Sequence, residues 1–280
     1  MNSVVVVTDS TATLPAELIE QYGIPVAPLH INWDKVRYRD GVDMQPGDFY
    51  QRLRKSATLP TTSGAIQGEY LEIFEELRGK ADGIVVIVVS SELSAAYSSA
   101  LNARKMVPEI HMEIIDSRIS TLGMGFAVIE AAKVASAGGS LQQVADRARE
   151  ILKKVHLFFV LDTLEYLRRG GRVNMPAALI AQLLQVKPIL TLRNGKAEPV
   201  ARPRTGRRAM EALLKLMQER VTQTPLHAAV MHGDAPQEAD YLIKEIGTRF
   251  NPVELLTSKF TPVMGAHTGP GLYGISFYNE

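Results

Sequence analysis

The segment Gly83 to Val89, GIVVIVV, constrains this chain more than any other. It is an apolar run with no polar alternation, so a strand built from it must be covered on both faces. Ser3 to Val7 has the same character, and Glu113 to Ile115 closes a third strand. Helical patterns separate these strands. They run from about Pro15 to Tyr22, near Phe49 to Lys55, through a stretch ending at about Leu77, from Ser94 to Met106, and from Ile119 to Ala135 with Gly138-Gly139 as a stop. Pro25 to Trp33 reads as a further strand, and the acidic segment Asp40 to Asp48 as a loop. Strands alternating with helices around a doubly buried central strand predict a three-layer α/β/α body on a parallel sheet.

The second half has a different rhythm. Ser140 to Val155 predicts a charged amphipathic helix bridging the two halves, and Leu157 to Leu161 a strand. Leu164 to Arg169 predicts one or two helical turns stopped by Gly170-Gly171, and Met175 to Leu184 an apolar helix. Lys187 to Leu192 and Ala197 to Ala201 flank Asn194-Gly195, the favoured two-residue hairpin turn. Pro199 assigns the second of these strands to an edge, because proline cannot donate to a ladder. Helices are expected at about Arg207 to Val221 and Pro236 to Phe250, and strands at Leu226 to His232, Phe260 to Met264 and Leu272 to Phe277. This pattern predicts a mixed or antiparallel sheet with helices on one side. The expected organisation is therefore an α/β chain of two domains, residues 1–155 and 156–280.

Composition narrows the function. Thirty-one basic residues against thirty acidic leave a net charge of +1, which argues against broad nucleic-acid binding. With no cysteine among 280 residues, disulfides, zinc–thiolate sites and cysteine nucleophiles are excluded. MNSVVVVTDS has neither a cationic leader nor a long apolar run, and no stretch reaches the roughly 18 apolar residues of a spanning helix. A cytoplasmic protein without an integral membrane segment is expected.

Few motifs point to chemistry. No GxxxxGK[ST] or GxSxG occurs, and Gly123-Met124-Gly125 sits inside a helix pattern without a third glycine. His111-Met112-Glu113 lies on a strand pattern and lacks partners for zinc. Three apolar strands end in small polar clusters, Thr8-Asp9-Ser10, Ser90-Ser91 and Asp116-Ser117, at the carboxyl edge where open α/β sheets bind ligands. Pro60-Thr61-Thr62-Ser63 precedes a helix pattern, so its hydroxyls are open to two roles: capping that helix, or holding a carboxylate or phosphate. Gly265 to Gly271 reads as a tight loop placing His267 and Thr268 as a donor pair close to a ligand. Of the two arginine clusters, 168–172 and 202–208, Arg172 directly after Gly170-Gly171 is best placed for a defined contact.

Taken together, VTDST, IPVAPL, PTTS, SSELSAAYSSA, IIDS, LEYLRRGGRV, KPIL, the NGK turn and HTGPG resemble, in this order and along nearly the whole chain, the DegV family of fatty-acid-binding proteins. The resemblance implies a long-chain fatty acid such as palmitate, stearate or oleate held in an apolar tunnel between two domains. By position, Thr62, Ser94 and His267 would meet the carboxylate, with Ser63 second to Thr62. It also implies a separate fatty acid kinase that phosphorylates the bound carboxylate, with Arg172 and Arg204 facing that partner. No catalytic residue, metal or cofactor is expected. The alternative is an acyl hydrolase using a serine with His267, and a weaker third reading is a regulatory protein acting through the basic clusters. Where the family usually reads TSQPS, Thr62-Ser63-Gly64-Ala65-Ile66 stands here, and the family's LSGTYQSA is Leu93 to Ala100, LSAAYSSA.

Overall fold

The computed structural model describes residues 3–172, 186–222 and 224–280. The expected helix from Met175 to Leu184 lies outside the described residues. Strands β1 (Val4–Asp9), β2 (Val26–Ala27), β6 (Gly83–Val88) and β7 (Met112–Asp116) form a parallel sheet in the order β2-β1-β6-β7. Every residue of β6 is buried. Its side chains alternate between two apolar clusters, as a period of two demands. Val85 and Ile87 face helices α5 (Thr121–Ser136) and α6 (Leu141–Lys154). Ile84, Val86 and Val88 face α3 (Gln67–Leu77) and α4 (Ala96–Arg104), through Tyr70, Phe74, Ala96, Ala100 and Ala103. Each such side chain contributes about 1.5–3 kcal/mol of burial, which is why an unbroken apolar run is tolerated here.

The second sheet has the order β10-β9-β8-β13-β11-β12. It comprises β8 (His156–Val160), β9 (Ile189–Arg193), β10 (Lys196–Ala201), β11 (Leu226–Gly233), β12 (Glu254–Lys259) and β13 (Leu272–Asn279). Only β11 and β12 run parallel. Asn194 and Gly195 make the β9–β10 turn with φ of 50° and 83°, the left-handed pair that a two-residue hairpin needs. Pro199 lies on the edge strand β10, where a register shift follows it. Helices α8 (Gly206–Gln218) and α9 (Pro236–Phe250) cover one face through Leu213, Met217, Leu242 and Ile246. The other face packs on α5 and α6, with Leu157, Ala229, Met231 and Tyr278 joining the cluster that holds Val85 and Ile87. Thus α5 is covered from both sides, and twelve of its residues, from Thr121 to Ala132, are buried. Helix α6 starts at a capping box, Ser140 with Gln143, and contacts β6, β7 and β13 as a bridging helix should.

Three local expectations are corrected. Pro25 to Trp33 is not one strand: it breaks at Pro28-Leu29, where proline lacks the N–H a ladder needs. Strand β3 (His30–Trp33) leaves the parallel sheet and joins β4 (Val36–Arg39) and β5 (Thr61–Ser63) in an antiparallel sheet ordered β4-β3-β5. Strand β4 was hidden in sequence by its polar composition. Thr61 to Ser63 is therefore strand and not a helix start: α3 begins at Gln67, and its N-cap Ile66 offers no side-chain oxygen. Phe260 to Met264 is not a strand either. Pro262 opens helix α10 (Pro262–Thr268), and the strand lies just before it as the polar edge strand β12. The remaining helices are α1 (Ala16–Tyr22), α2 (Pro46–Lys55) and α7 (Glu165–Arg169). Among the described residues no helix is long and apolar enough to cross a membrane, and no cluster of His, Asp and Glu is arranged to hold a metal ion.

Candidate functional site

In the parallel sheet β2 lies on one side of β1 and β6 on the other, so the carboxyl ends of β1 and β6 border a topological switch point. The polar clusters there first bond to one another. Asp9 is buried and accepts from Val89 N at 2.8 Å, Thr11 N at 2.9 Å and Thr11 Oγ1 at 2.5 Å. Burial nevertheless pushes its carboxyl above the ordinary value. Ser10 donates to Asp40 at 2.6 Å, and Ser91 donates to Asp116 at 2.5 Å. Ser90 donates to Gly195 O at 3.0 Å, which ties the β9–β10 turn to the end of β6. These bonds fix the floor beneath a cavity lined by Thr11, Val89, Leu93 and Ser94 from this edge.

The cavity holds about 750 Å³ free of protein atoms, counted out to its mouth. Its walls are largely apolar: Phe159, Leu167, Leu192, Phe260, Met264 and Leu272. A polar group is formed by Thr62, Ser63, Ser94, Arg172 and His267. Thr62, Arg172 and His267 also line an adjoining depression with Thr61, Tyr166 and Arg169, so this polar group stands between the cavity and the outside.

Each polar side chain has a positional cause. β5 pairs with β3, Ile31 opposite Thr62, and so presents Thr62 to α10. Thr62 Oγ1 lies 2.6 Å from His267 Nε2. His267 sits on the last turn of α10 and not at the centre of a loop; only Gly269-Pro270-Gly271 make the turn into β13. The ring is packed so closely on Gly170 that a Cβ there would lie 2.3 Å from Nδ1. Burial, with the Arg172 charge adding to it, holds His267 down to about 4, so the imidazole is neutral near pH 7. If Nε2 carries the proton and donates to Thr62 Oγ1, the threonine O–H is free to donate elsewhere, and Nδ1, which has no partner among the described residues, is the bare nitrogen. Ser94 stands just before α4, whose amino end carries a partial positive charge, and its Oγ accepts from Ala96 N at 3.2 Å. Gly64 brings β5 against this point: a Cβ there would lie 2.9 Å from Ser94 Oγ and 3.2 Å from Ala96 N. Ser63 Oγ is buried without a partner among the described residues.

The structure therefore brings Thr62, Ser63, Ser94 and His267 to one cavity. Arg172 joins them: its Nε donates to Leu93 O at 3.2 Å and its Nη1 to Gly170 O at 2.7 Å. Arg204 does not; it is exposed in the loop before α8 and lines neither the cavity nor the depression. Sequence reasoning missed Asp40. This buried carboxylate accepts from Ser10 Oγ and, at 3.0 Å, from Val263 N, and so anchors the start of the helix that carries His267. No pattern around DGVD marks Asp40 as buried.

A mixed α/β fold whose two sheets share a layer of helices, with an apolar cavity guarded by hydroxyls and a neutral histidine, defines a recognisable class. The family described as "Uncharacterised protein, DegV family" matches residues 3–280, and this chain belongs to it. Protein DegV of Bacillus subtilis (strain 168) is 36% identical over 275 residues, covering 98% of each chain. The crystal structure of DegV, a fatty acid binding protein from Bacillus subtilis, superposes with a TM-score of 0.93 at 35% identity, covering 100% of both chains. A fatty-acid-binding DegV family protein from Thermus thermophilus gives a TM-score of 0.93 at 30% identity, covering 99% of this chain and 100% of that one.

Proposed function

We propose that this protein binds a long-chain fatty acid in the cavity, between domains of residues 1–155 and 156–280, and acts as a carrier in the cytoplasm without catalysis of its own. The acyl chain lies along the apolar walls, and the carboxylate meets Thr62, Ser63, Ser94 and His267. The observation that carries this reading is the 2.6 Å pair of Thr62 and neutral His267 at an apolar cavity. A chain of about fourteen methylenes at ~0.8 kcal/mol each offers on the order of 11 kcal/mol of gross burial, before ordering costs. Burial alone does not orient the ligand. A carboxylate leaving water needs donors, and hydroxyls supply them, while the Arg172 guanidinium at the same end already donates to the Leu93 and Gly170 carbonyls. The head group then stays reactive toward a separate fatty acid kinase, with Arg172 and Arg204 on the side that partner approaches. The related proteins described as fatty-acid-binding support the ligand class.

The hydrolase alternative gains nothing from the geometry. The hydroxyl on His267 is a threonine's, and Nδ1, where a triad carboxylate would bind, has no partner among the described residues. The test is direct. Native mass spectrometry of protein purified from bacteria, and titration of delipidated protein with palmitate or oleate, should both show one acyl ligand. Thr62→Val combined with Ser94→Ala removes two hydrogen bonds to a charged group and should weaken binding on the order of a hundredfold, with the fold retained by circular dichroism. Absence of any acyl ligand in both experiments, or unchanged affinity in the double variant, refutes the assignment.

A further inference from the structure

The cavity carries a second polar group, with one buried hydroxyl that lacks a partner among the described residues, that the carboxylate site does not use. Ser120 and Thr121 line it, and each is 2% exposed. They are the N-cap and first residue of α5, a helix of 16 residues. Serine is among the best N-caps, yet Ser120 makes no side-chain capping bond, so the first N–H groups of α5 receive nothing from it. Thr121 Oγ1 is buried and has no partner among the described residues. Its backbone is left-handed, with φ of 61°, which β-branched residues rarely adopt. The neighbouring hydroxyl of Thr11 is already committed to Asp9 at 2.5 Å. One unpartnered buried hydroxyl, a serine that does not cap its helix, and the positive end of that buried helix thus line the cavity beside its apolar walls. An unmet buried donor is costly, and a ligand oxygen that meets it gains accordingly.

We propose that Ser120, Thr121 and the amino end of α5 form a second polar subsite, which selects fatty acids bearing a hydroxyl or keto oxygen on the acyl chain. This inference rests on the fatty-acid reading above and adds to it the chemistry of the chain. A plain saturated chain leaves the Thr121 hydroxyl unmet. A chain oxygen at the matching carbon accepts from this hydroxyl and recovers the hydration it lost on leaving water. One such bond is worth roughly threefold to tenfold in affinity.

Titration of delipidated protein with stearate, with 9-, 10- and 12-hydroxystearate and with 10-oxostearate tests it. At least one oxygenated isomer should bind several-fold more tightly than stearate. The ratio should fall toward one in Thr121→Val, which keeps the shape of the side chain and removes its hydroxyl, and should fall in Ser120→Ala. The ratio is compared within each variant, so a general change in affinity does not enter. Weaker binding of every oxygenated isomer than of stearate by the unaltered protein, or a preference that survives both substitutions, overturns the subsite while leaving the fatty-acid reading in place. Failure of stearate and all its derivatives to bind overturns that reading and the subsite together.

Discussion

Helix α10 is held at its two ends by groups that titrate in opposite senses, and this makes its pH response a sensitive check on the site. At the start, Asp40 accepts from Val263 N and Ser10 Oγ in a buried position, and burial raises it from 3.8 to about 6. At the end, burial and Arg172 lower His267 from 6.5 to about 4. Between these values the folded protein holds a proton on Asp40 that the unfolded chain has released, so this group favours folding at the acid side and loses that contribution as pH rises through 6. His267 does the reverse: the unfolded chain takes up a proton that the folded protein refuses, so stability falls as pH drops below 6.5. At about 1.4 kcal/mol per decade of proton concentration, each effect amounts to roughly 3 kcal/mol between pH 7 and 4. In the unaltered protein the two offset each other. Asp40→Asn should unmask the histidine, and its stability relative to the parent should decline by about 2–3 kcal/mol from pH 7 to 4. His267→Gln should unmask the aspartate and gain a similar amount over the same window. His156 and His232 are common to all three proteins and cancel in the differences. Urea unfolding of delipidated protein followed by circular dichroism at pH 4, 5, 6 and 7 measures this. Parallel pH profiles for all three, or tilts of the opposite sign, refute the assignment of buried acid and neutral histidine.

Two further outcomes are expected. Gly64→Ala places a methyl 2.9 Å from Ser94 Oγ and should displace that hydroxyl, reducing fatty-acid affinity about tenfold in titration while the melting temperature changes little. Glu130 is buried against Arg147 at 2.5 Å and Lys133 at 2.7 Å; Arg147 also pairs with Glu150 and Lys133 is partly exposed, so Glu130→Ala removes the shared carboxylate without stranding either cation and should cost about 1–2 kcal/mol in urea unfolding, whereas loss of less than about 0.5 kcal/mol would show the network to be dispensable.

The parts of the fold legible in sequence are those where burial leaves a pattern. β1 and β6 are readable because both faces are covered, and the β9–β10 hairpin because Asn194-Gly195 alone satisfies its turn. β4, β5 and β12 leave no such mark: they are short or exposed, and their residues are largely polar. α10 was misread because seven residues hold too few turns to show a helical period, and Pro262 was the one usable signal. Thr62, Ser63, Ser94 and His267 could be named from motifs, but the pairing of Thr62 with His267 spans 205 positions and follows only from β3 placing β5 beside α10. Ser120 and Thr121 passed for an ordinary helix start, since sequence does not reveal that a cap is left unused.

The placement of α5 has a mechanical consequence. From Thr121 to Ala132 this helix, pressed between two sheets, has no solvent side, so the apolar interior on one side of residue 155 continues into the other without a seam. Swinging the sheets apart like the halves of a shell would tear this interior, at a cost far above thermal energy. Movement that admits or releases a proposed ligand is therefore left to small pieces at the rim: α10, the β9–β10 hairpin and the Tyr166–Arg172 segment. Each makes a polar contact at the cavity edge, Val263 N with Asp40, Ser90 with Gly195 O and Arg172 with Leu93 O, beside buried apolar anchors such as Val263, Leu190 and Leu167. If the proposed ligand enters without parting the sheets, its rates of entry and exit are set by these pieces at the rim.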